Sequence, residues 1–372
     1  MNIGILTLPL HTNYGGLLQA YALQTVLEKH GHVVRVIDMP YRESRRSLLG
    51  MVYVICKRFF SYYILRKKVI IFQELYNTLN FPVVSRNTAR FVGKYINDYV
   101  VSDESMLRPN DFDAIVVGSD QVWRPLYQKR IEYAYLDFTE NWSIKRIAYA
   151  ASFGTSKWEY TPKQTICCGR LLGKFDAISV REKSGVELCK KHFFIDAKLV
   201  LDPTMLLTKQ DYIKLIEASG VSCSNGTLLT YILGETAEKM RLINYISQKK
   251  SLKAFRVNSK FEIKTAPIEE RIQPPVEEWL RGFYDAEFIV TDSFHACIFS
   301  IIFQKPFIVI GNKERGLARF ESLLEMFDLT SRLVTDMDID AVLAQDIDYC
   351  KVYQKLEILR NKSMSFLNRS LA

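Results

Sequence analysis

The stretch "IGILTLPLHTNYGGLLQAYALQ" (3–24) decides how the rest of the chain is read. "IGILT" (3–7) is an apolar run with strand character. The polar loop "HTNYGG" then enters a helix pattern over 16–30, with Leu17, Ala20, Leu23 and Leu27 on one face. A second strand follows at 33–38, ended by Asp38 and Pro40. Further apolar runs occur in "DAIVVGSD" (113–120), "RIAYAASFG" (146–154) and "DAISVRE" (176–182). Apolar strands bounded by polar loops and separated by helices predict an α/β fold whose parallel sheet is covered on both faces.

A second alternating series begins at "NGTLLTYILG" (225–234) and continues through "AFRV" (254–257), "AEFIVTDS" (286–293) and "PFIVIGN" (306–312). The 372 residues exceed what one compact core holds. The expected division is 1–200, 201–345 and a terminal helix in 346–372, on which Val352, Leu356, Leu359 and Phe366 form a stripe.

Composition narrows the function classes. The chain is 48% hydrophobic and 24% charged, ordinary values for a globular protein. Met1 leads within two residues into a strand-like run, so no secretory leader is expected. No apolar run reaches the ~20 residues of a membrane span. The seven cysteines lack a CxxC pair and read as small apolar residues of a reducing cytoplasm. The five histidines lack metal-ligand spacing, so no metal is expected. The net charge of +9 points to an anionic partner. No nucleic-acid-binding signature is present. Residues 48–76, "LLGMVYVICKRFFSYYILRKKVIIFQELY", break the alternation. They mix Tyr53, Phe59, Phe60, Tyr62 and Tyr63 with Lys57, Arg58, Arg66, Lys67 and Lys68. Two readings stand: a helical pair packed on the sheet, or a peripheral surface resting on anionic lipid.

In open parallel sheets, ligands bind beyond the carboxyl ends of the strands. The first such loop holds Asn13, Tyr14, Gly15 and Gly16, with Gln19 one turn later. It reads either as an anion cradle at a helix N-terminus or as a plain turn capped by Asn13. It is neither a GxGxxG fingerprint nor a P-loop. "GSDQVW" (118–123) sets Ser119, Asp120, Gln121 and Trp123 at the next strand end, where Ser119 or Asp120 can equally cap a helix. "SFG" (152–154) offers Ser152, and "LVLDPT" (199–204) offers Asp202. "SVREKS" (179–184) offers Arg181 and Ser184; the arginine either binds a carboxylate or phosphate, or pairs with an acid such as Glu182. In the second half, Asp292 and Ser293, either of which can cap the following helix, precede Phe294 and His295 at a strand-to-helix junction. That position suits His295 for proton transfer or anion binding.

Taken together, "NYGGLLQAYAL", "GSDQVW", "SFG", "VREKSG", "LDPT" and "TDSFHACIFSIIFQKPFIVI", in this order, resemble the polysaccharide pyruvyl transferase family over most of the chain. The resemblance implies two Rossmann-like domains facing across a cleft, as in glycosyltransferases of the B type, with a C-terminal helix returning to the first domain. It implies transfer of a pyruvate ketal from phosphoenolpyruvate, a co-substrate rather than a cofactor, to two hydroxyls of a sugar. The acceptor, with galactose a candidate, is expected to be lipid-linked and to lie on the first domain, with the donor on the second. His295 and Asp120 are then the expected catalytic pair. Arg181, Ser184, Ser293, Phe294, His295, Gly15 and Gly16 are the expected donor contacts. Asn13, Tyr14, Gln19, Ser119, Gln121, Trp123, Ser152 and Asp202 are expected to line the acceptor side. Relatives can carry Arg-Leu-His where this chain has Ser293-Phe294-His295, so Arg256, Arg315 or Arg319 is needed to supply the missing charge. The expected location is the cytoplasm, on the inner face of the membrane. Two alternatives remain: a nucleotide-sugar glycosyltransferase of the same architecture, or a non-catalytic assembly protein on the membrane.

Overall fold

The computed structural model describes residues 1–39, 48–67, 69–128, 130–311, 316–335 and 339–372, with backbone only at 48 and 49. Pro40, Lys68 and Arg315 lie outside the described residues.

The first sheet contains β1 (Asn2–Leu6), β2 (Val33–Asp38), β3 (Asp98–Val100), β4 (Ala114–Val117), β5 (Lys145–Ala151), β6 (Ala177–Val180) and β7 (Lys198–Leu199). Their spatial order is β3-β2-β1-β4-β5-β6-β7, and every pairing is parallel. β1 and β4 are apolar on both faces because helices cover both sides. The helices of this domain are α1 (Tyr14–Lys29), α2 (Leu48–Tyr63), α3 (Gln73–Val84), α4 (Arg86–Tyr95), α5 (Pro162–Leu172) and α6 (Lys183–Leu188). α1 starts where Asn13 accepts a hydrogen bond from the Gly16 amide. α5 starts at a reciprocal Thr161–Gln164 capping box.

The second sheet has the order β12-β11-β10-β8-β9, again all parallel. Its strands are β8 (Leu228–Tyr231), β9 (Ala254–Phe255), β10 (Phe288–Thr291), β11 (Phe307–Ile310) and β12 (Leu333–Val334). Around it lie α7 (Lys209–Ser219), α8 (Ala237–Lys250), α9 (Ile268–Arg271), α10 (Val276–Asp285), α11 (Phe294–Ile302), α12 (Ala318–Met326) and α13 (Ile339–Ala344). The last helix, α14 (Tyr349–Leu371), returns to the first domain. There Ser363 accepts from the Leu201 amide, Arg360 donates to the Met205 and Leu207 carbonyls, and Phe366 meets Tyr149.

Strand ends fall earlier than the sequence pattern suggests. β4 stops at Val117 because Gly118 takes φ +135°, where a Cβ would lie 2.0 Å from the Tyr149 carbonyl oxygen. The helical pair expected in 48–76 is present as α2 and the start of α3, linked by Arg58–Glu74 at 2.6 Å. The pair does not lie on the sheet: α3 packs against α4 and against α9 of the second domain. Tyr53, Phe59, Phe60, Tyr62 and Tyr63 remain exposed.

One aromatic side chain joins the two domains. Tyr14, the first residue of α1, is buried against Trp279 of α10, with ring centroids 5.5 Å apart and nearly parallel. Its hydroxyl donates to the Pro274 carbonyl at 2.8 Å. Beside it, the Gln273 side chain donates to the Thr12 carbonyl, its backbone amide donates to the Val84 carbonyl, and its backbone carbonyl accepts from the Asn87 side chain. Tyr14→Phe should therefore cost about 1 kcal/mol, the worth of one hydrogen bond. Tyr14→Ala should cost about 3–5 kcal/mol through lost packing. Thermal unfolding checks this: three equal melting temperatures would mean that the Tyr14 contact does not limit stability.

Candidate active site

Three loops at the carboxyl ends of β4, β6 and β7 converge on one buried guanidinium. Arg181, just past β6, donates from Nη1 to Asp202 Oδ2 at 2.7 Å and from Nη2 to Asp120 Oδ1 at 3.0 Å. Its Nε lies 3.9 Å from Glu182 Oε2. Asp120 reaches inward from a left-handed backbone, φ +50°. Asp202 also accepts from the Thr204 amide and hydroxyl, at 3.1 and 2.7 Å. Burial alone would raise the pKa of both aspartates. Arg181 and His295 outweigh that at Asp120, and His295 and Arg181 do so at Asp202, so both carboxyls sit below the usual range. At Glu182 burial dominates and shifts the pKa up, although its Oε1 accepts from the Phe153 amide at 2.8 Å.

The second domain closes this cluster from above. Ser293 caps α11 by accepting from the Ala296 amide. His295, on the first turn, brings Nε2 to 3.7 Å from Asp202 Oδ2. Its ring lies directly on α1: a Cβ at Gly15 would fall 2.0 Å from His295 Nδ1. Glycine at position 15 is thus required for the imidazole to occupy its site. Phe294 carries Arg181 on its ring at 4.8 Å and Arg319 of α12 at 5.2 Å.

Buried polar atoms are almost always hydrogen-bonded, so a cluster without partners marks a place for a ligand. Among the described residues, five such atoms gather here: Arg181 Nε, Glu182 Oε2, Ser184 Oγ, His295 Nε2 and Arg319 Nε. An imidazole beside an ionised carboxylate, next to guanidinium groups, is equipped to hold an anion and to move a proton.

The other residues singled out in the sequence have varied placements. Gln19 and Ser119 form a buried clamp, in which Gln19 Oε1 accepts from the Ser119 amide and hydroxyl at 2.8 and 2.9 Å. Ser152 is buried and accepts from the Gly154 amide. Gln121 packs its side chain onto Gly154. Asn13 is an exposed helix cap that takes up the Gly16 amide. Four expectations need correction. Trp123 is not in the cleft: it is fully buried, donates to the Ala134 carbonyl and stacks on Tyr135. Tyr14 belongs to the domain junction. Arg181 does not offer its fork to the cleft, since Asp120 and Asp202 occupy both terminal nitrogens. Asp292 does not cap α11: it pairs with Lys239 at 2.7 Å and accepts from the Leu233 amide. Of the substitute arginines, Arg256 pairs with exposed Glu235, whereas Arg319 reaches the cluster. The sequence reading missed Gln273, which carries no local signal, and treated Glu182 only as an ion-pair partner.

The two depressed carboxyls make stability depend on pH. Their folded pKa values lie below the unfolded ~3.9, so the stability they contribute is complete above that value. It is lost as pH falls through it toward the folded pKa. Glu182, shifted up, acts in the opposite sense. Wild type should therefore lose urea resistance as pH falls from about 4 to about 2. Asp202→Asn should start about 3–5 kcal/mol lower, because it leaves Arg181 under-paired, and should lose less over that interval. Parallel acid profiles for the two proteins would contradict the assignment.

A family model described as polysaccharide pyruvyl transferase matches residues 13–314. No curated protein matches the chain. Among solved structures, the chain is similar to the UDP-GlcNAc 2-epimerase from Neisseria meningitidis bound to UDP-GlcNAc, with 10% identity, coverage of 100% of this chain and 99% of that one, and TM-score 0.49. It is also similar to Medicago truncatula UGT71G1 complexed with UDP-glucose, with 12% identity, coverage of 99% and 97%, and TM-score 0.48. Acinetobacter baumannii MurG aligns at 11% identity over 98% and 94%, with TM-score 0.41. At such identities these likenesses concern the fold alone. The match of the family model over most of the chain shows that this protein belongs to the polysaccharide pyruvyl transferase family.

Proposed function

We propose that the protein transfers a pyruvate ketal from phosphoenolpyruvate to two hydroxyls of a sugar, releasing phosphate. The observation that carries this reading is the set of five unpartnered buried polar atoms around His295, between the two domains. Phosphoenolpyruvate has a carboxylate and a phosphate to meet the donors among them; Glu182 Oε2, an acceptor, faces Arg181 Nε at 3.9 Å instead. The reaction needs a proton on the methylene carbon, which makes C2 electrophilic. One sugar hydroxyl then adds to C2, phosphate leaves, and the second hydroxyl closes the ketal as both hydroxyl protons depart. His295 suits the proton transfer. Nδ1 is packed against Gly15, and Nε2, 3.7 Å from Asp202 Oδ2 and without a hydrogen-bond partner, is the nitrogen left to exchange a proton with the substrate. Asp120, held ionised by Arg181, acts by fixing that guanidinium rather than as a free base.

We further propose that the acceptor is lipid-linked and that α2 and α3 rest on the inner face of the cytoplasmic membrane. Support comes from the chemistry of that face. Tyr53, Phe59, Phe60, Tyr62 and Tyr63 are exposed along α2, and Lys57 on it and Arg66 and Lys67 just after it are exposed as well. Aromatic rings suit the headgroup level, and each basic residue contributes about 1 kcal/mol near anionic lipid. Among the described residues, no helix is long and apolar enough to cross a membrane, so attachment is peripheral.

Incubation with phosphoenolpyruvate and a lipid-linked galactose-containing acceptor should yield a pyruvyl ketal by mass spectrometry and one phosphate per ketal. His295→Ala should slow this about 10²-fold or more. Stabilisation by UDP- or GDP-sugars, without any by phosphoenolpyruvate, would favour a glycosyltransferase instead. For the surface, sedimentation should show more binding to anionic than to neutral liposomes, weakening with salt. Replacing Lys57, Arg66 and Lys67 with glutamine should abolish the difference; an unchanged difference would leave α2 with a structural role only.

A further inference from the structure

Arg319 is a cation of this site with no hydrogen-bond or ion-pair partner at contact distance among the described residues; Asp120 and Glu182 act on it only at longer range. It opens α12, is 9% exposed, and lies over the Phe294 ring at 5.2 Å. No described residue hydrogen-bonds or ion-pairs with its guanidinium, and its Nε is among the buried atoms without a partner. Burial, and next the charge of Arg181, push its pKa down to about 10, so it remains charged at neutral pH. Arg181, on the same aromatic ring, differs in one respect: Asp120 and Asp202 already hold both its terminal nitrogens. A buried charge without a partner is costly, and two guanidinium groups sharing one ring repel each other.

The surroundings fix where a partner would sit. α12 docks on the start of α6, where Ser322 accepts from the Lys183 amide at 2.9 Å. Ser322 is three residues after Arg319 and so on the same helix face. The facing turn carries Ser184, whose buried hydroxyl also lacks a partner. Phe294, which supports the guanidinium, immediately precedes His295. The Phe294 and His295 ring centroids lie 5.5 Å apart, so the ring that supports the guanidinium also borders the imidazole.

We propose that Arg319 is the anion receptor of the interdomain cleft, binding a phosphate or carboxylate of the substrate on its free guanidinium nitrogens. As applied to phosphoenolpyruvate, this rests on the pyruvyl-transfer reading; as an oxyanion site it does not. α12 then takes over the anion contact that the sequence Ser293-Phe294-His295 does not supply from α11.

The test uses the full chain as wild type, Arg319→Met and Arg319→Lys, with Arg256→Met as a control for charge alone. Calorimetric titration with orthophosphate, pyruvate and phosphoenolpyruvate reads affinity, and thermal unfolding reads the fold. Arg319→Met should weaken at least one of these anions by about tenfold or more while melting at or above wild type. Arg319→Lys should fall between, and Arg256→Met should match wild type. A loss confined to orthophosphate assigns the phosphate subsite, and one confined to pyruvate assigns the carboxylate. Unchanged affinities in Arg319→Met, or a melting temperature several degrees lower, would overturn the proposal. The two ideas fail separately. Arg319-dependent orthophosphate binding without ketal formation removes the pyruvyl-transfer reading and keeps the receptor. Turnover of phosphoenolpyruvate with an unaltered KM in Arg319→Met does the reverse.

Discussion

The buried ion-pair system Asp120–Arg181–Asp202 is the constraint on which the site depends. It draws together loops from three strand ends that are distant in sequence, at 118–121, 181–184 and 202–204. Loss of one partner from such a system typically costs about 3–5 kcal/mol, because it leaves a charge buried and unpaired. The loops are therefore fixed relative to one another by electrostatics more than by turn chemistry. The remaining contacts of Asp202 extend the system. Thr204 orients one of its oxygens, while the other faces both Ser119, at 3.4 Å, and His295, at 3.7 Å.

Through His295 this arrangement extends into the second domain. The imidazole rests on Gly15 and faces Asp202, so its position is set by the first domain although its backbone belongs to the second. The Tyr14–Trp279 stack and the Gln273 hydrogen bonds hold α1 against α10 one residue away. α1 thus has a double role: its first residue joins the domains and its second makes room for the imidazole. Proton chemistry and domain closure share one helix start, so a change in interdomain angle would act directly on His295.

Much of the fold was legible in the amino-acid sequence. Runs such as "AIVV" and "FIVI" are apolar at every position, which only a sheet buried on both faces tolerates, and their spacing left room for helices between. The short edge strand β3 was not legible, because a triplet of residues carries no periodicity. In the candidate site the structure brings together His295, Asp120, Arg181, Ser184 and Asp202, which the sequence singles out because strand-end loops are where ligands bind. Trp123 sits in the same loop as Asp120 yet turns into the core, since sequence adjacency does not say which way a side chain points.

The sequence by itself determined the alternation of strands and helices, the two-domain division and the family, because local periodicity and ordered motifs survive without coordinates. Only the tertiary structure decided the partners. Arg181 is satisfied by two aspartates 61 and 21 residues away, while Arg319, equal to it in chemistry, has no acid at contact distance among the described residues. Whether a buried charge is spent within the protein or held for a ligand depends on which oppositely charged groups come within a few ångströms. That distance is set by packing between elements remote in sequence.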